Sequence, residues 1–270
     1  MLTNTKDLKG LTIWAVDGGI GTVDQVYFDD QSWAIRYLTV ETGGWLGGRQ
    51  VLISPISVAG FDWEAKRLQV NLTKAQVENS PDAGTHQPLS RQHEAAYLSY
   101  YGYPYYWEGP NLWGSAYFPG GVGALPPPEF TEEEIAEKIS GEAADSHLRS
   151  SEEVTGYYIG AKDGEIGHVD RLIVDDQAWA IRYIEVATQN WWPGKKVLLP
   201  PAWVEKVSWE ESKVFVGVTR DAIQNCEEYL DGTPITREYE NQLYAHYGKP
   251  PYWPKREEPF IESDHEPIVR

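Results

Sequence analysis

The stretch DDQSWAIRYLTVETGGWLGGRQVL, Asp29 to Leu52, returns as DDQAWAIRYIEVATQNWWPGKKVL from Asp175 to Leu198. The second copy lies 146 positions after the first, and the two align without a gap. Repeats of solenoid proteins are about 20 to 50 residues long, so this long period, present twice, indicates two sibling domains. The sequence therefore predicts a tandem duplication.

The same shift matches residues well outside this stretch. The matched pairs are Gly10 with Gly156, Asp24 with Asp170, Trp63 with Trp209, Arg91 with Arg237, Tyr106 with Tyr252 and Trp107 with Trp253. A chain of 270 residues has room for two domains of about 100 residues each with their connections. The duplicated part thus includes more than the first quoted stretch.

Short runs rich in β-branched and aromatic residues, separated by Gly, Asp and Pro, predict six strands in the first copy. They fall at residues 11–15, 20–28, 33–41, 51–53, 57–61 and 67–72. In the third run the apolar residues do not alternate cleanly, which indicates a strand buried on both faces or bent by a bulge. Short strands at this spacing are typical of a small antiparallel barrel or sandwich. We expect a mainly β protein with two tandem small antiparallel β-barrels.

Helices are expected after each barrel. Thr73 and Gln76 have the spacing of a capping box for a short helix. Ser90 is the predicted N-cap of a helix over 91–101 that ends at Gly102, and Thr236 is that of the matching helix over 237–247. An aromatic tail follows each helix.

The predicted domain limits follow from these elements. The first unit covers residues 1–107, a linker rich in Pro, Gly and aromatic residues covers 108–152, the second unit covers 153–254 and a charged tail covers 255–270. The linker should contain a short acidic helix at about 131–139 and a mobile spacer at 141–151. The charged tail is expected to be poorly ordered.

The net charge of −18 argues against binding to nucleic acid, because contact with phosphates depends on Lys and Arg. The first residues contain no apolar core of a signal peptide, and no run of about 18 apolar residues occurs, so a soluble cytoplasmic protein without membrane insertion is expected. Cys226 is the single cysteine, so the chain has no second thiol for an internal disulfide or for a zinc cluster of thiolates.

The hairpin DDQ-x-WAIRY, preceded by the pattern Asp-Gly-x-Ile-Gly-x-Val-Asp at 17–24 and 163–170, resembles the PRC-barrel family. The cytoplasmic domain of the photosynthetic reaction centre H subunit and the C-terminal part of small-subunit ribosome-maturation factors belong to that family. The resemblance covers residues 7–78 and 153–224. It implies a small β-barrel and protein–protein docking rather than catalysis.

Two charged residues of the first copy recur in the second and are candidates for a polar site. Asp24 with Arg36, and Asp170 with Arg182, lie on adjacent predicted strands, where an ion pair would fix the register. We expect these pairs to be structural rather than binding groups. The six histidines show no metal-binding spacing and no nucleophile or phosphate-loop motif occurs, so we predict no catalytic residues, no metal and no cofactor.

The aromatic clusters are the better candidates for binding a partner protein, because Trp and Tyr dominate interface hot spots. The candidate residues are Trp45, Trp191, Trp192, Tyr105, Tyr106, Trp107, Tyr252 and Trp253. The alternative, which we favour, is that each tail folds back over its own barrel or the sibling barrel.

We predict a non-enzymatic docking or scaffold module that binds an unidentified protein and is open to homo-oligomer formation. The two barrels should pack through an approximate two-fold axis. The alternative function is a small-ligand or cofactor-binding protein that uses the groove between the barrels.

Overall fold

The computed structural model describes residues 1–81, 90–122, 147–188 and 195–253. The chain forms two compact units, Met1–Pro234 and Ile235–Arg270. The first unit holds two seven-stranded sheets, and the second holds the last described helix. The prediction of a mainly β protein is therefore confirmed. The predicted acidic helix, most of the predicted spacer and the charged tail lie outside the described residues.

The first copy supplies seven strands and three short α-helices. The strands are β1 (Leu2–Asn4), β2 (Thr12–Ala15), β3 (Gly18–Asp29), β4 (Ile35–Glu41), β5 (Gln50–Ile53), β6 (Val58–Asp62) and β7 (Arg67–Val70). The helices are α1 (Thr5–Leu8), α2 (Lys74–Glu78) and α3 (Arg91–Tyr101). All six predicted strands are present, and β1 and α1 are additional.

The second copy repeats this series. Its strands are β8 (Leu148–Ser150), β9 (Tyr158–Ala161), β10 (Gly164–Asp175), β11 (Ala180–Ala187), β12 (Lys196–Leu199), β13 (Val204–Ser208) and β14 (Lys213–Val216). Its helices are α4 (Ser151–Val154) and α5 (Arg220–Gln224), and α6 (Arg237–His246) follows in the second compact unit.

The two sheets have the same strand order. The first runs β5-β4-β3-β2-β7-β6 and the second runs β12-β11-β10-β9-β14-β13. Neighbours are antiparallel except for the parallel pairs β2 with β7 and β9 with β14. Within the described residues, the strands at the two ends of each series do not pair with each other. Closure of each sheet into a barrel therefore stays a prediction.

The two copies exchange their first strands. β1 pairs with β10 of the second copy, with Thr3 opposite Val174, and β8 pairs with β3 of the first copy, with Arg149 opposite Phe28. β1 and β8 stand at matching positions of the repeat, so the exchange is reciprocal. The prediction of a mobile spacer over 141–151 is wrong for residues 148–151, because these residues form β8 and the first residue of α4.

The tips of the two central hairpins also bond to each other. Ala34 forms an antiparallel bridge with Ala180, its match in the repeat. The Ile35 amide donates to the Trp179 carbonyl at 2.8 Å, and the Ile181 amide donates to the Trp33 carbonyl at 2.7 Å. Such reciprocal contacts are those of an isologous interface, which is built around a two-fold axis.

Local predictions within the first sheet are confirmed. Residues 35–40 of β4 are all buried, so this strand is covered on both faces. The register of β3 shifts between Tyr27 and Phe28, as expected of a bulge. The capping box of Thr73 and Gln76 is formed, and α3 begins after Ser90 and ends at a left-handed Gly102.

Candidate functional site

The aromatic tail after α3 packs back onto the first sheet. Tyr105 and Tyr106 are buried, in a cluster with Tyr37 and Leu52 of the sheet and Leu148 of the exchanged strand. Burying a large apolar side chain stabilises the fold by about 1.5 to 3 kcal/mol. The prediction that Tyr105 and Tyr106 form a partner-binding surface is therefore wrong, because both rings are buried against the first sheet.

Four residues hold the start of α3 to the tail, and we call them the first Arg-Glu-Tyr-Trp cluster: Arg91, Glu94, Tyr106 and Trp107. Arg91 Nη1 donates to Glu94 Oε2 at 2.9 Å and to Tyr106 Oη at 2.7 Å. Tyr106 Oη donates to Glu94 Oε1 at 2.6 Å. The Arg91 guanidinium lies 4.3 Å from the centre of the Trp107 ring.

Glu94 is the buried acid of this cluster, with 1% of its surface exposed. Burial raises the pKa of Glu94 from 4.5 to about 7, although the positive charge of Arg91 and the hydrogen bond from Tyr106 act in the opposite direction. The carboxyl group therefore titrates near neutral pH. Its two carboxyl oxygens bond to Arg91 and Tyr106 of the same fold, so we assign Glu94 a structural role.

The same four residue types meet again in the second compact unit. Arg237 Nη1 lies 2.9 Å from Glu240 Oε2, and Tyr252 Oη donates to Glu240 Oε1 at 2.9 Å. The Arg237 guanidinium lies 4.0 Å from the centre of the Trp253 ring. The arginine, tyrosine and tryptophan of this cluster were predicted to repeat, whereas the glutamate was not, although Glu94 and Glu240 are related by the same 146-residue shift.

The predicted pair of Asp24 and Arg36 is not formed. Arg36 is buried and its Nη2 lies 3.4 Å from Asp29 Oδ2, whereas the Asp24 carboxylate lies 3.5 Å from Lys9 Nζ. The prediction is wrong because of the hairpin register. Asp24 lies at a bulge next to Val40, four positions along β4 from Arg36, which is about 13 Å.

The predicted pair of Asp170 and Arg182 fails for the same reason. Arg182 Nη2 lies 2.9 Å from Asp175 Oδ2, and Asp170 instead bonds to Lys196 and Lys6, each at 2.8 Å. Burial works against ionisation of Asp170, but the two lysines outweigh it and keep the pKa of this carboxyl below its ordinary value. The repeated arginine therefore pairs with the first aspartate of the DDQ turn in both copies.

An ordered loop follows the first tail, at residues 109–122. Its Trp113 is 1% exposed, and the indole Nε1 donates to the Ala178 carbonyl of the second copy at 2.8 Å. The Arg36 guanidinium lies 4.9 Å from the Trp113 ring and 3.7 Å from the Tyr106 ring, while its Nη1 donates to the Leu112 carbonyl at 2.7 Å. The loop is thus fixed to both copies at the place where the hairpin tips meet.

This loop presents two exposed aromatic side chains. Tyr117 is 74% exposed and Phe118 is 52% exposed. The Phe118 ring lies against Gly121, where an added Cβ would come within 3.1 Å of the ring. Between Tyr103 and Val122, the sequence has one charged residue, Glu108. The sequence predicted a linker here, although the combination of Trp113, Tyr117 and Phe118 with nearby glycines was an available signal of a structured loop.

The remaining aromatic residues that were predicted to bind a partner are less exposed than Tyr117 and Phe118 or lie outside the described residues. Trp45 is half-buried, with Lys74 Nζ 4.4 Å from the centre of its ring. Tyr252 is 38% exposed and belongs to the matching cluster of Arg237, Glu240, Tyr252 and Trp253. Trp191 and Trp192 lie outside the described residues.

The groove between the copies was the predicted place for a small ligand. A cavity of about 290 Å³ lies between α1 and α4 and is lined by Lys6, Lys9, Asp24 and Glu152 among others. These charges are engaged within the protein, because Lys9 bonds both Glu152 and Asp24, and Lys6 bonds Asp170.

In the described part of the chain, no three His, Cys, Asp or Glu side chains are grouped so that they could hold a metal ion. None of the helices described has the length and apolar composition needed to cross a membrane.

The duplicated sheets, the exchanged strands and the repeated hairpin define a tandem β module. Residues 4–77 match the model of the PRC-barrel domain, so the first copy carries that domain. The second sheet has the same strand order and a sequence related by the 146-residue shift, consistent with duplication of the domain. No curated protein matches the chain.

Proposed function

We propose that this protein is a non-enzymatic docking module, built from two PRC-barrel-like domains, that binds a partner protein through Tyr117 and Phe118. The observation that carries the proposal is the exposure of two adjacent aromatic side chains on an anchored loop. A closed barrel for each sheet and a cytoplasmic location belong to the same proposal.

Anchoring favours binding because an ordered loop loses little conformational entropy when it docks. Trp113 fixes the loop by its bond to Ala178 and its contact with Arg36. Short backbone bonds add to this, since the Trp113 amide donates to the Ala116 carbonyl at 2.9 Å and the Asn111 amide donates to the Gly114 carbonyl at 3.0 Å. The two aromatic side chains are therefore presented in a set position.

The chemistry of the loop indicates what the partner offers. Aromatic side chains are enriched at the centres of interfaces, where they fill apolar pockets. The segment around Tyr117 and Phe118 is almost without charge, while the whole chain carries −18. The expected partner surface is an apolar pocket with Lys or Arg around it, because basic groups would be attracted by the acidic remainder of the protein.

The alternative of a small-ligand site between the two copies has less support. Of the charged groups that line this cavity, Lys9 is paired with Asp24 and Glu152, and Lys6 is paired with Asp170 outside the lining, so each already has a partner within the protein. Acidic and basic groups that already neutralise each other leave little attraction for a ligand.

The test is capture of partners from the native host with the full chain as bait. The variant Tyr117→Ser/Phe118→Ser changes only exposed side chains and should keep the melting temperature of the wild type. We expect it to lose a partner that the wild type captures. Tyr158→Ser is the matched control, since Tyr158 is also an aromatic residue, 51% exposed, on strand β9. Identical partners for all three proteins would contradict the proposal.

A further inference from the structure

The loop at residues 109–122 covers the first copy at its DDQ turn. Arg36 Nη1 donates to the Leu112 carbonyl at 2.7 Å, and the Arg36 guanidinium lies 4.9 Å from the centre of the Trp113 ring. From there the Trp113 indole N–H crosses to the Ala178 carbonyl of the second copy, at 2.8 Å. The loop therefore shows how a Trp-bearing segment binds where the two hairpin tips meet.

The second copy carries a surface that matches the one under the loop. On the first copy, the 3-10 turn Pro119–Gly121 of the loop lies beside the 3-10 turn Pro55–Ser57. The 146-residue shift relates Pro55–Ser57 to the 3-10 turn Pro201–Trp203, and it relates Arg36 to Arg182. The hairpin tips meet by reciprocal contacts, as around a two-fold axis, so the two surfaces face equivalent surroundings. We call the region around Arg182 and Pro201–Trp203 the second-copy surface.

The second-copy surface is less covered than its match. The side chain of Arg36 is 3% exposed, whereas that of Arg182 is 23% exposed. Ile56 is partly buried beside the loop, while Ala202, its match, is exposed. Both differences have the same direction, and both fall where the loop lies on the first copy.

A backbone acceptor at the second-copy surface also lacks the donor that its match has. The Ala178 carbonyl accepts the Trp113 indole N–H, and the residue that matches Ala178 is Ser32 at the tip of the first hairpin. Among the described residues, no group donates a hydrogen bond to the Ser32 carbonyl, and Ser32 is exposed. The two-fold relation thus puts an acceptor beside Arg182 in the position that Trp113 uses beside Arg36.

The chemistry of the loop indicates what kind of segment fits. Residues 109–122 contain no charged side chain. The guanidinium of Arg182 is already paired with Asp175, at 2.9 Å, so the pair offers a planar surface with little net charge. Arginine stacks on aromatic rings through that plane, and an indole supplies one N–H donor besides its ring. An uncharged segment with a Trp therefore suits this surface better than a charged one.

We propose that the second-copy surface binds an uncharged, Trp-bearing segment of a partner protein in the manner of the loop at 109–122. The Trp ring lies along the Arg182 guanidinium, and its N–H donates to the Ser32 carbonyl. Trp is enriched among the residues that dominate interfaces, so one such anchor gives a short segment its specificity. The inference rests on the proposed docking function, but it uses a surface other than Tyr117 and Phe118.

The probe is a fluorescein-labelled peptide with the sequence of residues 109–122, GPNLWGSAYFPGGV, titrated with the full chain and followed by fluorescence polarisation. We expect saturable binding, and binding weaker by about tenfold or more for the peptide with the Trp113→Ala change. No binding at protein concentrations up to about 1 mM, or equal affinities of the two peptides, would overturn the proposal.

Variants of the full chain then locate the binding. Arg182→Gln should weaken the peptide by about tenfold. Ala202→Arg places a long side chain on the second-copy surface and should weaken the peptide at least as much, without removing the bond to Asp175. Ala59→Arg is the matched control, because Ala59 is an exposed alanine of β6 on the first copy. Equal affinities of the two alanine variants would overturn the location, even where Arg182→Gln fails to fold.

The end of the chain is the competing occupant, since the same shift relates residues 255–268 to the loop. That stretch contains no Trp and is rich in charge, which favours a partner instead. A chain that ends at Pro254 should bind the peptide as the full chain does. Binding by the shortened chain alone would assign the surface to the chain's own end and overturn the proposal.

The two proposals fail separately. The Tyr117→Ser/Phe118→Ser variant leaves the second-copy surface unchanged, so it should bind the peptide with the affinity of the wild type. Unchanged capture of partners by that variant would remove the docking loop from the proposed function without affecting the peptide titration. A wild-type chain that captures partners through the loop but does not bind the peptide would overturn this inference alone.

Discussion

Ala34 pairs with Ala180, the residue that stands at the same place in the other copy of the repeat. The hydrogen bonds on either side of the pair run from Ile35 to Trp179 and from Ile181 to Trp33, at 2.8 Å and 2.7 Å. Ala34 and Ala180 are therefore a non-hydrogen-bonded antiparallel pair, in which the Cα atoms approach to about 4.5 Å. The duplicated domains meet residue against matching residue.

This pairing predicts an engineered disulfide. Ala34→Cys/Ala180→Cys, made with Cys226→Ser to remove the native thiol, should oxidise within one chain because Cα atoms about 4.4 to 6.8 Å apart can be bridged. Thiol titration and a non-reducing gel measure the outcome. Chains that keep both thiols free, or that link only as dimers, would show that the two hairpin tips do not meet as described.

The strand exchange predicts unequal effects of two matching substitutions. Leu148 of β8 is 0% exposed, whereas its match Leu2 of β1 is partly exposed. Leu148→Ala should lower the free energy of unfolding by about 2 to 4 kcal/mol, because it leaves a cavity under the first sheet. Leu2→Ala should have a smaller effect. Chemical denaturation measures both, and equal small losses would contradict the burial of β8 against the first sheet.

The tail of the first copy should be structural. Trp107 stacks on Tyr105 at 4.8 Å between ring centres and lies next to Arg91. Trp107→Ala should lower the free energy of unfolding by about 1 to 3 kcal/mol, since an aromatic contact and buried apolar area are lost. A thermal melt measures this, with Tyr117→Ser as an exposed control. An unchanged melt together with loss of a captured partner would instead assign Trp107 to binding.

Glu94 predicts a pH dependence of stability. The pKa of its carboxyl group is 4.5 when the group is exposed to solvent, as in the unfolded chain, and about 7 when it is buried in the fold. Between these pH values the folded chain therefore keeps a proton that the unfolded chain releases. Its contribution to the free energy of unfolding therefore decreases as the pH rises from about 5 to 7. Glu94→Gln cannot ionise, so its stability relative to the wild type should rise across this range.

Denaturation curves at a series of pH values measure the Glu94 effect. Glu64→Gln, at an exposed turn position, is the control and should follow the wild-type profile. A Glu94→Gln profile parallel to that of the wild type between pH 5 and 7 would show that Glu94 does not titrate in this window.

Much of the fold was predictable because its signals are local. The alternation and turn residues of the first copy located all six strands, and the caps at Ser90 and Gly102 gave the bounds of α3. Cap chemistry depends on bonds within a few residues, as the bond from the His93 amide to Ser90 Oγ illustrates. The duplication itself was visible in the spacing of the two DDQ hairpins.

The site was less predictable, because burial depends on what packs over a residue. Tyr106 and Tyr117 are the same residue type eleven positions apart, yet Tyr106 is buried against the first sheet and Tyr117 is exposed to solvent. Glu94 has an ordinary helical context, and its pKa is raised only because the tertiary structure buries its carboxyl group. Likewise, Asp24 and Arg36 lie on neighbouring strands, and only the register separates them.

The sequence by itself determined that one β module occurs twice, where its strands and helix ends lie, and that the chain is strongly acidic, since these follow from periodicity, local bonding and composition. The tertiary structure alone decided that β1 and β8 change places, which aromatic side chains face solvent, and that Trp113 bonds to Ala178 of the second copy. The physical reason is that strand pairing and burial join residues far apart in the chain, and a three-residue strand such as β1 has no pattern to name its partner.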